Sequence, residues 1–231
     1  MRASMSVYLV LLGGDLIPTP RLFRQIAGAR VIAADSGIRH VDRLGLMPEL
    51  WIGDFDSVGV EEIDRRRDIP RAVYPSAKDQ TDGELAVAEA LSRGAQTLIL
   101  AGAFGGARAD HAFLHLALAL SMTERGLPVM LTSGTQEGHP LGPEMRSFDY
   151  GSGTLFSIIG FGDLHGLTIE GAQWPLKQAD VPFGSSLTLS NIVSDRLRIA
   201  VRSGRALLVA RPDQQGKDGA AGEQAAFFEG R

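Results

Sequence analysis

Residues 7–15, Val-Tyr-Leu-Val-Leu-Leu-Gly-Gly-Asp, make a nearly all-apolar run that stops at two glycines and an acid. A strand with one wet face alternates polar and apolar side chains. A run without that alternation reads as a parallel strand covered on both faces. Similar short runs recur at 31–34, 50–52, 71–74, 97–101 and 128–132. Helical patterns lie between them at 38–44, 59–67, 81–92 and 110–125, and Thr19-Pro20 reads as N-cap and first residue of a helix toward Ala27. Thr81-Asp82-Gly83-Glu84 is a capping box, in which hydroxyl and carboxylate satisfy each other's free backbone donors. This rhythm predicts an open, mostly parallel, Rossmann-like α/β sheet with helices on both faces.

The rhythm ends near Ser133. Gly and Pro then punctuate short runs at 145–149, 154–160, 167–170, 186–191, 197–201 and 205–210, without helical period. That grammar predicts an all-β sandwich or small barrel. The boundary is expected in the turn-rich segment 133–142, giving an α/β domain over 1–135, a β domain over 140–211 and a flexible tail over 212–231.

Composition excludes several classes. The chain has 231 residues, 44% hydrophobic and 22% charged, which is ordinary for a globular protein. With 23 Lys+Arg against 27 Asp+Glu the formal charge is −4, so no overall positive field recruits nucleic acid or anionic lipid. The absence of cysteine removes disulfides, thiolate zinc sites and a cysteine nucleophile. No run approaches the roughly 18 apolar residues of a membrane span, and the opening residues do not make a signal peptide. A soluble cytoplasmic protein is expected.

Ligands of open α/β sheets bind beyond the carboxyl ends of the strands. Those ends carry Gly13-Gly14-Asp15, Asp35-Ser36-Gly37, Gly53-Asp54-Phe55-Asp56-Ser57, Lys78-Asp79-Gln80-Thr81-Asp82 and the stretch from Gly102 to His111. Taken alone, Asp35 or Asp54 reads as a turn or cap residue, Gly13-Gly14 as a simple turn, Arg108 as a surface charge and His115 as a satisfied core residue. Together they crowd carboxylates onto one rim. Such crowding is tolerable when cations sit among them, and magnesium takes carboxylate oxygens together with those of a bound phosphate. Gly-rich turns let phosphate reach backbone N–H groups, and Lys78 and Arg108 can neutralise phosphate oxygens. The rim reads as a magnesium–polyphosphate site. Walker, dinucleotide-binding, protein-kinase and serine-hydrolase signatures are all absent.

The ordered set GDFDS (53–57), KDQTD (78–82) and GAFGGARADH (102–111) closely resembles the thiamine pyrophosphokinase family. In the second half Gly166-Leu167, Trp174-Pro175-Leu176 and the segment 186–191 resemble its thiamine-side elements. The resemblance implies a homodimer with shared active sites, transfer of pyrophosphate from ATP to the thiamine hydroxyl, and release of AMP. It implies magnesium on Asp56 and Asp82, Asp54 near the acceptor and Asp79 in support. ATP would lie among Gly14, Asp35, Ser36, Lys78, Thr81, Gly105, Gly106, Arg108, Asp110 and His111. Thiamine would meet Asp54, Trp174, Ser190 and Asn191. Three departures from the family pattern stand out: Ala107 is inserted before Arg108, His115 stands where Asn is frequent, and Ile192 where an acid is common. Two other readings remain open from the residues themselves. One is an Asp-x-Asp phosphohydrolase with Asp54 as nucleophile; the other is a nucleotide-binding regulator without turnover.

Overall fold

Val7–Leu11 (β1) pairs in parallel with Arg30–Ala34 (β2) on one edge and Thr97–Ala101 (β5) on the other. Both edges are therefore occupied, and Tyr8 to Leu11 are fully buried, as the apolar run demands. The computed structural model describes residues 6–55, 58–75 and 79–215. The chain divides into two units, Met1–Pro140 and Leu141–Arg231.

In the first unit, parallel pairing continues outward from β2 to Leu50–Gly53 (β3) and Arg71–Val73 (β4), and from β5 to Val129–Thr132 (β6). Glu137–Leu141 (β7) closes the row antiparallel to β6. The spatial order is β4-β3-β2-β1-β5-β6-β7. The chain moves one way from β1 to β4 and then returns to the other side of β1, so the sheet reverses between β1 and β5. A crevice opens at the carboxyl ends of the strands at such a point. Alternate residues of the strands face opposite sides. Leu9, Leu11, Val31, Ala33, Trp51 and Ile99 share one core with Leu22 and Ile26 of Pro20–Ile26 (α1). Each fully buried leucine contributes roughly 1.5–3 kcal/mol relative to exposure.

Four more helices fill the connections. The 3-10 turn Asp35–His40 runs into Val41–Leu44 (α2), and Val60–Arg65 (α3), Asp82–Ser92 (α4) and Ala109–Glu124 (α5) follow. The capping box of α4 is formed: the Thr81 N–H donates to Glu84 Oε2 at 2.8 Å, and Glu84 N–H to Thr81 Oγ1 at 3.2 Å. Thr19 caps α1, accepting from Leu22 N–H at 3.1 Å, with Pro20 as the first helical residue. No helix among the described residues is long and apolar enough to cross a membrane.

The second unit is built of strands: Arg146–Ser147 (β8), Thr154–Gly160 (β9), Leu164–Ala172 (β10), Leu176–Val181 (β11), Asn191–Ser203 (β12) and Ala206–Gln215 (β13). The pairings of these strands with one another among the described residues are antiparallel. β12 pairs with β9 through Asn191 and Ile192 and with β10 and β8 further on, so one strand serves both sheets. Its register on β10 shifts beside Gly171, which is left-handed (φ 72°) and whose Cβ would stand 2.2 Å from the Arg196 carbonyl oxygen. Phe156, Ile158, Leu167, Leu197, Ile199 and Leu208 form the core between the sheets.

Four elements depart from expectation. β7 lies inside the segment read as a boundary loop: Gly138 and Pro140 look like turn residues, yet Gly138 pairs with Leu131 and a Cβ there would press on the Phe104 ring at 2.9 Å. β11 has no hydrophobic alternation to announce it. Segment 186–191, read as a strand from its alternating Ser and Leu, is a chain of turns up to Ser190. Leu187 and Leu189 point outward, and only Thr188 is buried, its hydroxyl donating to the Ile158 carbonyl at 2.7 Å. β13 also continues to Gln215, past the expected edge at 211.

α1 is tied to β7 by a buried charge cluster. Glu137 is almost fully buried and accepts from Arg21 Nε at 2.5 Å, Arg21 Nη2 at 3.1 Å and Gln25 Nε2 at 2.5 Å. Burial alone raises the Glu137 carboxyl, but bonds from His139, Arg21 and Gln25 outweigh it and hold the group at about 2. A depressed carboxyl stabilises the fold above its unfolded value and loses that contribution as pH falls toward the folded value. Stability from this cluster should therefore decline between the ordinary glutamate value, 4.5, and about 2. Glu137→Gln should cost about 2–4 kcal/mol at pH 7, because it leaves the Arg21 charge without its counterion, and should flatten the acid dependence. Urea unfolding of both proteins at pH 7 and pH 3 checks this; an unchanged midpoint in the variant would contradict it.

Candidate active site

The reversal of the sheet brings the turn after β1 against the turn after β5. Gly14 N–H donates to the Gly102 carbonyl at 2.9 Å, and Asp15 N–H to the Phe104 carbonyl at 3.0 Å. Only glycine fits: a Cβ on Gly14 would lie 2.4 Å from the Gly102 carbonyl oxygen, and one on Gly37 2.2 Å from that of Leu11. The carbonyls of this turn face two nitrogen donors of the 3-10 turn that follows β2. Arg39 Nη2 donates to Gly13 O at 2.5 Å and Gly14 O at 3.0 Å, and a His40 ring nitrogen donates to Gly14 O at 3.0 Å. Burial, and after it the charge of Arg39, lowers the affinity of His40 for a second proton.

These turns surround a cavity of about 290 Å³. Its wall carries Gly13 and Gly14 from β1, Asp35, Ser36 and Arg39 from β2, Thr81 and Asp82 at the start of α4, and Gly105, Arg108 and His111 after β5. Gly14, Asp35, Ser36, Thr81, Gly105, Arg108 and His111, expected around ATP, thus meet in one place, and Asp82 joins them. Gly106, Asp110, Asp54 and Asp79 are not on this wall. Gly106 is held to the β1 turn, its N–H donating to Asp15 Oδ2 at 3.0 Å. Asp54 follows β3, and Asp79 is exposed in the loop before α4. Asp56 and Lys78 lie outside the described residues.

Asp35 combines two unusual features. Its backbone is left-handed (φ 44°), and its Oδ1 is buried with no hydrogen-bond partner among the described residues. Non-glycine residues hold such a conformation only where their surroundings enforce it. Here the indole of buried Trp51 donates to the Asp35 carbonyl at 2.9 Å. Trp51 also meets Phe55 edge to face, centroids 4.8 Å apart, and Phe55 is itself left-handed at φ 61°. The ends of β2 and β3 are therefore both bent sharply beside Asp35 and Asp54.

On the opposite side the inserted Ala107 precedes Arg108, which occupies the N-cap of α5. The Arg108 guanidinium grips Asp110 with both arms, Nε to Oδ1 at 3.0 Å and Nη2 to Oδ2 at 2.6 Å, and holds that carboxyl well below the usual carboxylate range. His115 is buried, as expected of a core residue, and also reaches the cavity wall. Its Nδ1 faces the Ala103 carbonyl at 3.3 Å, which makes Nδ1 the donor and leaves Nε2 an acceptor; burial favours this neutral form. Arg39 escaped the reading of the sequence. It stands five residues past the end of β2, and only the 3-10 turn brings it back over Gly13.

Of the residues expected around thiamine, Asp54 lies in the first unit and Trp174, Ser190 and Asn191 lie in the second. Trp174 is 51% exposed, whereas the other tryptophan, Trp51, is buried. The buried Asn191 amide brackets the Trp174 backbone: Oδ1 accepts from Trp174 N–H at 3.2 Å, and Nδ2 donates to the Trp174 carbonyl at 2.8 Å. Oδ1 also accepts from Ile192 N–H at 2.8 Å. Ser190 is left-handed (φ 58°) and exposed, with its N–H on Ser157 Oγ at 3.0 Å.

Comparison with known proteins places this arrangement. A family model for the thiamin pyrophosphokinase catalytic domain matches residues 26–131, and one for the thiamin pyrophosphokinase vitamin B1 binding domain matches residues 146–207. The thiamine pyrophosphokinase of Bacillus subtilis (strain 168) is 28% identical over 190 residues, covering 79% of this chain and 87% of the relative. A crystal structure of the Bacillus subtilis thiamine pyrophosphokinase superposes with a TM-score of 0.78 at 27% identity, covering 90% of this chain and 99% of that one. A thiamin pyrophosphokinase from Geobacillus thermodenitrificans gives 0.74 at 25% identity, covering 90% and 98%. The two matched domains follow one another in the same order as the α/β unit and the β unit, and the chain belongs to the thiamine pyrophosphokinase family.

Proposed function

We propose that this protein transfers a pyrophosphoryl group from ATP to the hydroxyl of thiamine, giving thiamine diphosphate and AMP. The observation that carries the reading is the convergence of Gly14, Asp35, Ser36, Thr81, Asp82 and Arg108 on one cavity at the reversal of the sheet, in a chain whose two halves match the two domains of one family. A cytoplasmic setting, where both substrates are at hand, fits this reading.

The thiamine hydroxyl oxygen attacks the β-phosphorus of ATP, a P–O bond forms there, and the bond from that phosphorus to the α–β bridging oxygen breaks. AMP leaves with the electron pair, and the hydroxyl proton passes to a base. Such transfer depends on positioning and charge neutralisation more than on covalent help. The Gly13-Gly14 and Gly105-Gly106 turns give the polyphosphate a bare backbone to approach. Asp54, beyond β3, orients the hydroxyl or takes its proton. Thr81 and Glu84 hold the first turn of α4 rigid, which fixes where Asp82 stands.

A divalent cation fits the residues present. The buried, unpartnered Asp35 Oδ1 is the type of oxygen a hard cation satisfies, and Asp35 and Asp82 share the cavity. Magnesium asks for one or two carboxylates and takes its remaining oxygens from water and phosphate, so the absence of a three-residue ligand cluster among the described residues is no obstacle. Asp82 and Asp56 would hold it, with Asp35 beside them. Bound there, magnesium would neutralise charge on the phosphate oxygens.

Thiamine carries a fixed positive charge and two rings. Exposed Trp174 offers an aromatic face, which attracts such a cation, and Ser190 a free-standing hydroxyl. Asn191 serves by holding the Trp174 backbone. We assign thiamine to a site shared between subunits of a homodimer, the first unit of one meeting the second unit of its partner.

With both substrates present, AMP and thiamine diphosphate should appear in equal amounts without ADP, as nucleotide and thiamine chromatography would read. ADP with thiamine monophosphate would mark a simple kinase, and phosphate release without thiamine a hydrolase. Asp82→Asn should lower turnover at least about tenfold with an unchanged melting temperature, as loss of a metal-site group does. Turnover within twofold of the parent at saturating magnesium would remove Asp82 from the site.

Shared sites make a further expectation. Asp82→Ala and Trp174→Ala homodimers each carry two damaged sites, but a mixed dimer carries one intact site. Random exchange makes half the dimers mixed, so up to about a quarter of parental activity should return on mixing. Circular dichroism first establishes that both variants fold, and co-purification of tagged chains that they exchange. Exchange without recovery would mean that each site is contained within one subunit.

A further inference from the structure

We infer that Arg39 is the arginine through which the first unit of this chain grips the ATP polyphosphate, in place of Arg108. The inference rests on the reading of the cavity as an ATP site. Two arginines stand on its wall, and their bonding differs. Arg108 follows the inserted Ala107, and its guanidinium is committed by two hydrogen bonds to Asp110 on the exposed rim. A phosphate can recruit it only by displacing a carboxylate already bound in fork geometry. Arg39 is anchored differently. One nitrogen, Nη2, bridges the carbonyls of Gly13 and Gly14 at 2.5 and 3.0 Å. Nε and Nη1 have no partner among the described residues, and no carboxylate neutralises the charge.

The anchor has a second effect. Tied to the glycine turn, the guanidinium is held beside the backbone that phosphate approaches, so binding freezes little additional side-chain freedom. Three N–H donors remain for phosphate oxygens. Asp35 and Asp82 share the wall, so the cation also offsets their repulsion toward an anionic ligand. Arg39 additionally borders a shallow groove with Asp15, His40 and Arg43. If Arg39 served only to tie down the turn, its loss would weaken nucleoside and nucleotide alike; if it grips phosphate, the loss falls on the nucleotide alone.

Isothermal titration of the full chain with ATP and with adenosine, at fixed magnesium and ionic strength, separates these roles. Arg39→Gln should weaken ATP at least about tenfold, the scale of a lost charge-assisted hydrogen bond, and leave adenosine within about twofold. Arg108→Gln should weaken ATP less than Arg39→Gln does. ATP binding by Arg39→Gln within about threefold of the parent, or an equal loss for ATP and adenosine, would overturn the assignment while leaving the ATP site in place. A parent protein that binds neither ligand would overturn the reading of the cavity, and Arg39 with it. Should Arg39→Gln fail to melt cooperatively, Arg39→Lys decides: it keeps a charge but not the fork, so ATP should weaken at least about threefold with adenosine unchanged, and parental ATP affinity would overturn the inference.

Discussion

The backbone contact between Gly14 and Gly102 governs the first unit. The sheet reverses between β1 and β5, so the turns that leave these neighbouring strands must pass each other at hydrogen-bond distance, 2.9 Å from Gly14 N to Gly102 O. No side chain fits between them. The consequence extends beyond packing. With the two turns pinned together, residues separated by about ninety positions in the chain, such as Asp15 and Gly106, become parts of one wall. A site assembled from strand ends is then as rigid as the sheet beneath it, which is the condition that phosphoryl-type transfer places on its surroundings.

Around this contact the charges fall into two kinds. Some are matched within the protein: Glu137 with Arg21, Arg66 with Asp42 and Glu62, and Arg108 with Asp110. The first two join a helix to a strand or to another helix, and the third closes the first turn of α5 on itself. At the cavity, the buried oxygen of Asp35 and two nitrogens of Arg39 have no partner among the described residues. Buried or anchored polar groups without partners are costly for a fold and useful to a site. Left-handed non-glycine backbone occurs at Asp35 and Phe55, at the cavity end of the first unit's sheet, and at Gln178 and Ser190 in the second unit.

The second unit uses a different device. Its long strand β12 runs through both sheets, and its first residue, Asn191, holds the Trp174 backbone from both sides. The Trp174 backbone is thereby held while its ring stays exposed.

Much of this fold is legible in the sequence itself. The unbroken apolar runs announced β1, β2, β3, β5 and β6, because a strand covered on both faces has no polar alternation to hide it. The Thr81–Glu84 cap and the Thr19-Pro20 start were also legible, since capping depends on residues within one turn. The chemistry of the strand ends, with its glycines and aspartates, followed from the rule that such ends bear ligands. What adjacency in the chain could not reveal was decided by long-range packing. β7 carries turn residues and is a strand because β6 lies beside it. The Ser-Leu alternation of 186–191 looked like a strand, but the sheet offers a place only for Thr188. Arg108 stands on the cavity wall as expected but is bonded to Asp110 two residues on, and Arg39 reaches the same wall only because the 3-10 turn folds it over Gly13. Local patterns reflect the propensities of a few neighbouring residues; which charge is left free is settled only when every other charge has found its partner in three dimensions.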